Sequence, residues 1–265
     1  MTVSVVSHGQ GQLVANLLAD LSRQTLAPAL RVIVTHNVPE AELGDVQGLQ
    51  IETRRNLAPL GFGANHNAAL AGARSPWLVV LNPDIRIPDP TLLERLIYRH
   101  RDGHAGVVAP VIRNPAGERE DSVRHNLDPI SLLGRHALRR ARTIDPAQED
   151  GRFRWVAGMF MAVPRSVWTA VGGFDDRFFL YCEDYDLCAR VAAEGLRIEV
   201  DPELEAIHDA RRSSHRSFTY LRWHLTSLMR VWSSRHFWRI WSADLAASRR
   251  NGLPAGRQST SVVGD

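Results

Sequence analysis

An α/β fold with a mainly parallel central sheet and flanking helices is the class that this sequence of 265 residues predicts. Strand-like and helix-like patterns alternate through its first half, which is how a parallel sheet covered by helices reads. Contents of 44% hydrophobic and 23% charged residues are ordinary for a globular chain and exclude disordered and collagen-like classes. The length accommodates one large domain with a modest appendage.

Taken in order, Val3 to Ser7 reads as a buried strand, Leu13 to Leu21 as an amphipathic helix and Leu30 to Thr35 as a second strand. A short third strand, Leu49 to Thr53, precedes a loop rich in Gly and Pro. Asn65 to Ala73 is a compact Ala-rich helix, and the strand Trp77 to Leu81 halts at Asn82-Pro83-Asp84. Asp89 and Pro90 stand as start signals for a helix over Thr91 to Arg101, and Val107 to Ile112 is another strand. Between Asn114 and Asp150 the one helical pattern is Ser131 to Arg142, with a mobile loop expected around it. Phe153 to Val163 is apolar and strand-like; Pro164-Arg165-Ser166 then opens a short helix that ends at Gly172-Gly173. Glu183 to Glu194 is helical and closes at Gly195, and Ser217 to Arg250 reads as one or two Arg- and Trp-rich amphipathic helices. The expected division is a main domain over 1–210 and a basic, aromatic helical tail over 211–265.

All 32 Lys-plus-Arg positions are Arg, and the net charge of +3 is too small to argue for nucleic acid. Its distribution says more: from Ala210 to Ala243 there are seven Arg, no Asp or Glu, and four of the seven Trp. Arg211, Arg212, Arg216, Arg222, Arg230, Arg235 and Arg239, interleaved with these aromatics, suit an anionic bilayer surface. Some of them, Arg216 and Arg222 in particular, could instead hold a diphosphate; an oligomer interface or a helix packed on the domain is the plainer alternative. Cys182 and Cys188 alone supply neither a disulfide framework nor a zinc quartet, which fits a reduced cytosol. Neither a signal peptide nor an apolar run of about 18 residues is visible, so any membrane role is expected to be peripheral.

Four segments carry candidate chemistry. At the end of the core strand, Asp84 can hold Mg²⁺ or Mn²⁺ against a diphosphate, since hard oxygen ligands suit these ions; an ordinary Asn-Pro-Asp turn is the alternative. Asn56 and the Gly-rich run Gly61-Phe62-Gly63-Ala64-Asn65-His66-Asn67 lead into a helix whose first turn can approach a phosphate or ribose. The block from Gly172 to Arg190 sets five acids among aromatics. There Asp184 and Asp186 lie near a helix N-terminus, where an ionised carboxylate can act as a general base toward a sugar hydroxyl or merely stabilise the helix start. His208 could complete a metal site or be structural.

In their order along the chain, these segments resemble the inverting glycosyltransferases of family 2, which have a GT-A (Rossmann-like) fold. The resemblance runs through Val3 to Gly9, Gly61 to Asn67, Leu81 to Ile85, Ser122-Val123-Arg124, Trp155 to Gly158, Gly173 to Arg190 and Ala206-Ile207-His208. It is nearest to bacterial rhamnosyltransferases that extend N-acetylglucosaminyl-diphospho-undecaprenol in O-antigen synthesis. It implies Asp84 and His208 as ligands of a divalent cation and Asp184 as the base. It also implies Ser7, His36, Asn37, Asn56, Gly61, Gly63, Asn67 and Asn82 on the donor-nucleotide side. Trp155, Gly158, Phe174, Asp175 and Arg124 fall on the acceptor side. The implied partners are a nucleotide-sugar donor, dTDP-rhamnose by likeness, and a polyprenyl-diphosphate-linked saccharide, met at the cytoplasmic face of the membrane. Two positions depart from the family pattern: Asn82 replaces the first Asp of its Asp-x-Asp motif, and His36 replaces the Asp that contacts the nucleobase. The second departure leaves open a UDP-hexose or galactofuranose donor. A non-catalytic nucleotide-sugar-binding subunit is the rival of a different class.

Overall fold

The structure is a computed structural model that describes residues 1–128, 144, 151–209 and 218–250. The helix expected over Ser131 to Arg142, and Arg211, Arg212 and Arg216, lie outside the described residues.

Strand β1 (Thr2–Ser7) leads into helix α1 (Gly11–Ser22), followed by β2 (Arg31–His36), β3 (Gln50–Arg55), α2 (Phe62–Leu70) and β4 (Trp77–Leu81). Next come β5 (Ile85–Arg86), α3 (Leu92–Arg99), β6 (Ala105–Arg113), β7 (Val123–His125), β8 (Arg154–Val156) and β9 (Phe160–Pro164). Helices α4 (Arg165–Val171) and α5 (Glu183–Ala193), strand β10 (Arg197–His208) and helices α6 (Phe218–Trp232) and α7 (Arg235–Arg250) complete the described chain.

Eight strands form one sheet in the order β3-β2-β1-β4-β9-β6-β10-β5. Strands β3, β2, β1 and β4 run parallel, as do β6 and β10, while β9 is antiparallel to both β4 and β6 and β5 is antiparallel to β10. The sheet is therefore mixed but mostly parallel. Because the chain leaves β1 toward β3 and returns to its other side with β4, the strand order reverses at β1/β4. A crevice opens at the carboxyl ends of such a pair.

Side chains alternate across the pleat, so β4 feeds two cores. Val79 and Leu81 join Val3, Val5, Leu17 and Leu93 on one face; Leu78 and Val80 join Met161, Trp168, Tyr185 and Leu187 on the other. The second core also takes Leu228 and Val231 from α6 and Phe237 and Ile240 from α7. Each such apolar side chain contributes about 1.5–3 kcal/mol when fully buried, enough to hold the tail helices on this core.

Strands β5 and β7 have no counterpart in the sequence reading, and two further elements differ from it. The apolar stretch Phe153 to Val163 is split: β8 leaves the main sheet to pair with β7, and β9 stays in it. The chain before His208 is a long strand that shifts register between Asp201 and Glu205. Its alternation is hidden by acids that ion-pair across the edge, Asp201 with Arg99 and Glu205 with Arg113, each at 2.6 Å. Helix α4 ends, as expected, at a left-handed Gly172 with φ 79°.

Candidate active site

A cleft of about 890 Å³ opens at the β1/β4 switch. Its walls include His8 to Gln10 after β1, Asn37 after β2, Leu60, Phe62 and Asn65 from the Gly-rich loop, and Asn82 to Asp84 after β4. A side formed by Phe179, Leu180, Tyr220 and Trp223 completes it.

The turn after β4 carries Asp84. Strand β5 pairs with the end of β10 so that His208 is opposite Ile85, and the Asp209 N–H donates to the Asp84 carbonyl at 2.8 Å. This backbone register brings the Asp84 Oδ2 to 3.2 Å from His208 Nε2. The other ring nitrogen, Nδ1, lies 2.6 Å from the Glu120 carboxylate. Burial works against charging the His208 ring, but the hydrogen bonds and charges of Asp84 and Glu120 outweigh it and raise its pKa to about 9. Asp84 Oδ1 is buried and has no hydrogen-bond partner. A carboxylate with one oxygen orphaned and the other against an imidazole nitrogen fits a divalent cation that takes its other ligands from substrate phosphates and water. Among the described residues, no three His, Cys, Asp or Glu side chains converge on one point. Asp84 and Glu120 approach opposite edges of the His208 ring.

Asp184 sits in the first turn of α5, half-buried, and its Oδ2 accepts the Gly158 N–H at 2.9 Å while Oδ1 accepts the Tyr185 N–H at 2.8 Å. Gly158 makes room for Phe62: a Cβ there would lie 3.0 Å from the Phe62 ring, while the Asp184 Cβ at 3.7 Å would be an ordinary contact. Phe62 in turn lines the cleft, so Gly158 links Asp184 to its wall. Burial pushes the Asp184 carboxyl up, against the pull of these N–H donors and of Arg124. Just before α5, Tyr181 and Cys182 have φ of 72° and 66°, a left-handed pair of non-Gly residues. Each such residue costs on the order of 1–3 kcal/mol, and strain of this kind collects at functional sites.

Neighbouring Glu183 points into the core, only 5% exposed, with Oε2 unpartnered. Burial and then the Asp184 charge push its carboxyl up to about 8 from 4.5. Below the unfolded value both states are protonated; between 4.5 and about 8 the unfolded chain releases the proton first, so folding stability falls as pH rises. Glu183→Gln is therefore expected to melt several degrees above the wild type at pH 8 and near it at pH 4.5, at about 2–4 °C per kcal/mol removed. Thermal scans at the two pH values check this; a difference independent of pH would refute the burial cost.

The donor-side residues divide. Asn37 and Asn82 face the cleft. Asn37 also anchors its rim, accepting the Leu60 N–H and an Asn56 amide N–H at 2.8 Å each; Asn56 donates again to Asn65 at 2.6 Å. Ser7 is fully buried and donates to Glu40 at 2.7 Å, and Glu40 takes the Gly9 N–H at 2.8 Å. His36 is buried beneath the cleft, its Nδ1 3.8 Å from Glu40 and both ring nitrogens without a hydrogen bond. Gly61 and Gly63 let α2 pack against the aromatic block: a Cβ would meet the Phe179 carbonyl at 2.6 Å and the Phe174 Cβ at 2.7 Å. Asn67 clamps that block by its side chain, accepting the Phe174 N–H at 2.9 Å and donating to its carbonyl at 2.8 Å.

Of the acceptor-side residues, Trp155 is buried, donates to the His125 carbonyl at 2.9 Å and carries the Arg124 guanidinium 5.1 Å above its ring. Arg124 also donates to Asp121 at 2.9 Å. Phe174 is buried against Phe62 at 5.7 Å, and hydrogen bonds from Arg177 hold the Asp175 carboxyl low. Arg222 is exposed on α6.

Sequence reasoning missed Glu40 and Glu120, for which no local pattern exists, and the aromatic wall. Phe179 and Trp223 lie 4.6 Å apart and Tyr220 lies 5.2 Å from Trp223. The one signal was the spacing Tyr220-x-x-Trp223, which sets both on one helix face.

Residues 1–226 match the family profile "Glycosyltransferase like family 2". The chain belongs to glycosyltransferase family 2. This glycosyltransferase is 30% identical over 260 residues to rhamnosyltransferase WbbL of Escherichia coli, an alignment covering 90% of this chain and 97% of that protein. It is 27% identical over 284 residues to the N-acetylglucosaminyl-diphospho-decaprenol L-rhamnosyltransferase of Mycobacterium tuberculosis, covering 96% and 90% of the two chains. Among solved structures, a mannosyltransferase of Pyrobaculum calidifontis in complex with GDP-Man and Mn²⁺ superposes with a TM-score of 0.60 at 15% identity, over 96% of this chain and 75% of that one. Staphylococcus aureus TarS 1-349 in complex with UDP-GlcNAc gives 0.60 at 14% identity, over 95% and 74%. These likenesses establish the GT-A fold.

Proposed function

We propose that this enzyme transfers L-rhamnose, with inversion, from dTDP-rhamnose to a saccharide on a polyprenyl diphosphate, and that it depends on a divalent cation. The observation that carries the reading is the pairing of Asp84 with His208 on a cleft to whose wall Gly158 links Asp184. The names of the relatives supply donor and acceptor classes, and the Mn²⁺ of the mannosyltransferase complex supports the cation.

Asp84 and His208 would hold the cation, which offsets charge gathering on the departing diphosphate. Asn37 and Asn82 face the nucleotide. Asp184 takes the proton of the acceptor hydroxyl as its oxygen bonds to the anomeric carbon and the bond to the diphosphate breaks. The Gly158 and Tyr185 N–H groups keep the carboxylate aimed, and the raised pKa makes it a stronger base once ionised. The aromatic wall and Arg124, with Arg216 and Arg222 of the tail, serve the acceptor.

Helix α6 extends this reading to localisation. Leu221, Leu225 and Met229 recur every fourth residue and are 54%, 52% and 69% exposed. No described helix is long and apolar enough to cross a membrane. An apolar stripe within an acid-free, Arg-rich segment suits an anionic lipid surface. The wild type is expected to sediment with phosphatidylglycerol vesicles and not with phosphatidylcholine alone. The Leu221→Ser, Leu225→Ser, Met229→Ser variant should stay in the supernatant; if it still sediments, α6 is not the docking element.

The function is tested by incubating purified enzyme and Mn²⁺ or Mg²⁺ with a synthetic N-acetylglucosaminyl-diphospho-lipid and dTDP-rhamnose or UDP-sugars, read by mass spectrometry. A rhamnose increment from dTDP-rhamnose alone is expected. Transfer from a UDP-sugar instead would refute the donor and point to the buried His36. No transfer from any donor would refute the acceptor.

A further inference from the structure

We infer that Glu120 is a positioning residue for the cation: it orients His208 so that Nε2 faces the ion beside Asp84. This rests on the reading of Asp84 and His208 as the cation's holders. The three side chains form a line rather than a cage, Glu120 to His208 Nδ1 at 2.6 Å and His208 Nε2 to Asp84 at 3.2 Å.

An imidazole offers one nitrogen to a metal only when the other keeps its proton. A carboxylate accepting that Nδ1–H fixes the tautomer, stops the ring from turning and strengthens the ligand. Glu120 cannot itself share the ion, because the two ring nitrogens diverge and it occupies the edge away from Asp84. Asp84 Oδ2 and His208 Nε2 instead face each other at 3.2 Å, so a cation replacing the proton between them would meet both.

The placement of Glu120 is built into the backbone. A tight turn closes after β6, with the Asn114 N–H donating to the Glu118 carbonyl at 2.8 Å and the Gly117 N–H to the Asn114 carbonyl at 2.9 Å. The Glu120 N–H then donates to the Ile112 carbonyl at 2.9 Å, and its own carbonyl accepts the Ser122 N–H at 2.8 Å. Since β6 pairs parallel with β10, Ile112 with Ala206 and Arg113 with Ile207, the returning segment sets Glu120 beside His208. Asp84 is tied to the other side of the same strand end through β5. Three chain segments distant in sequence thus converge on one imidazole, which no local role for Glu120 in its turn requires.

The test is Mn²⁺ affinity of the full chain, measured by electron paramagnetic resonance titration without substrate, for the wild type, Glu120→Ala, Glu120→Gln and Asp84→Ala. Glu120→Ala should bind Mn²⁺ about 10–100-fold more weakly, the usual loss when such a partner is removed. Glu120→Gln should recover most of that loss, because its amide oxygen accepts the same Nδ1–H without the charge. Wild-type affinity in Glu120→Ala overturns the inference and leaves the cation reading intact. Equal losses in Ala and Gln would also overturn it, making Glu120 a source of negative charge rather than of orientation. Failure of the wild type to bind Mn²⁺ even with dTDP added, or wild-type affinity in Asp84→Ala, overturns the cation reading and this inference together.

Discussion

Asp184→Asn is expected to lower kcat by about 10²–10⁴-fold, the usual worth of a positioned general base, while leaving the donor Kd unchanged. The substitution is nearly isosteric, and the amide oxygen can still accept one of the N–H groups of Gly158 and Tyr185, so the turn before α5 should keep its shape. What is lost is the ability to take a proton. Because burial raises the Asp184 carboxyl, the wild-type kcat/KM should rise with pH as that group ionises; the variant should lose this limb. Rapid-quench turnover and donor titration on the same preparation check both. Retention of most of the turnover would assign the base elsewhere; loss of donor binding would make Asp184 a binding residue.

Asp84→Ala is expected to abolish the cation dependence of donor binding and to lower kcat by roughly two to three decades, since a cation at a departing diphosphate contributes several kcal/mol. Excess chelator on the wild type should reproduce the same donor affinity, and adding chelator to the variant should change nothing further. Isothermal titration with a dTDP-sugar, with and without Mn²⁺, reads this. If the wild type binds donor equally with and without the ion, the role of Asp84 at the diphosphate is wrong.

The effects differ in kind because the groups differ in surroundings. Asp184 is aimed by backbone N–H groups that remain when it is changed, so its loss is chemical. Asp84 is half of a pair with His208, and its removal leaves His208 facing Glu120 alone.

Much of this molecule was legible in its sequence. Runs such as Val3 to Ser7 and Trp77 to Leu81 read as buried strands, and Asn82-Pro83-Asp84 marks the end of the second, because proline is disfavoured inside a central strand. Alternation of such runs with short helices made the fold α/β, and the ordered motifs pointed to family 2. Side chains adjacent to a strand end or a helix start, such as Asp84 and Asp184, were visible because local structure alone exposes them.

Tertiary structure decided the rest. Glu120 and His208 lie 88 residues apart and meet through strand register, which sequence periodicity does not encode. Strand β10 hid its alternation because acids such as Asp201 and Glu205 become tolerable only against arginines on other elements. Ser7 and His36 end β1 and β2 and Asn56 follows β3, and burial or hydrogen bonds within the chain hold all three. Tyr220 and Trp223 reach the cleft because α6 and α7 bury Leu228, Val231, Phe237 and Ile240 in the second core. Local sequence determines which residues can form a strand, a turn or a helix face; which of them share a site depends on packing between distant segments, and only the folded chain supplies it.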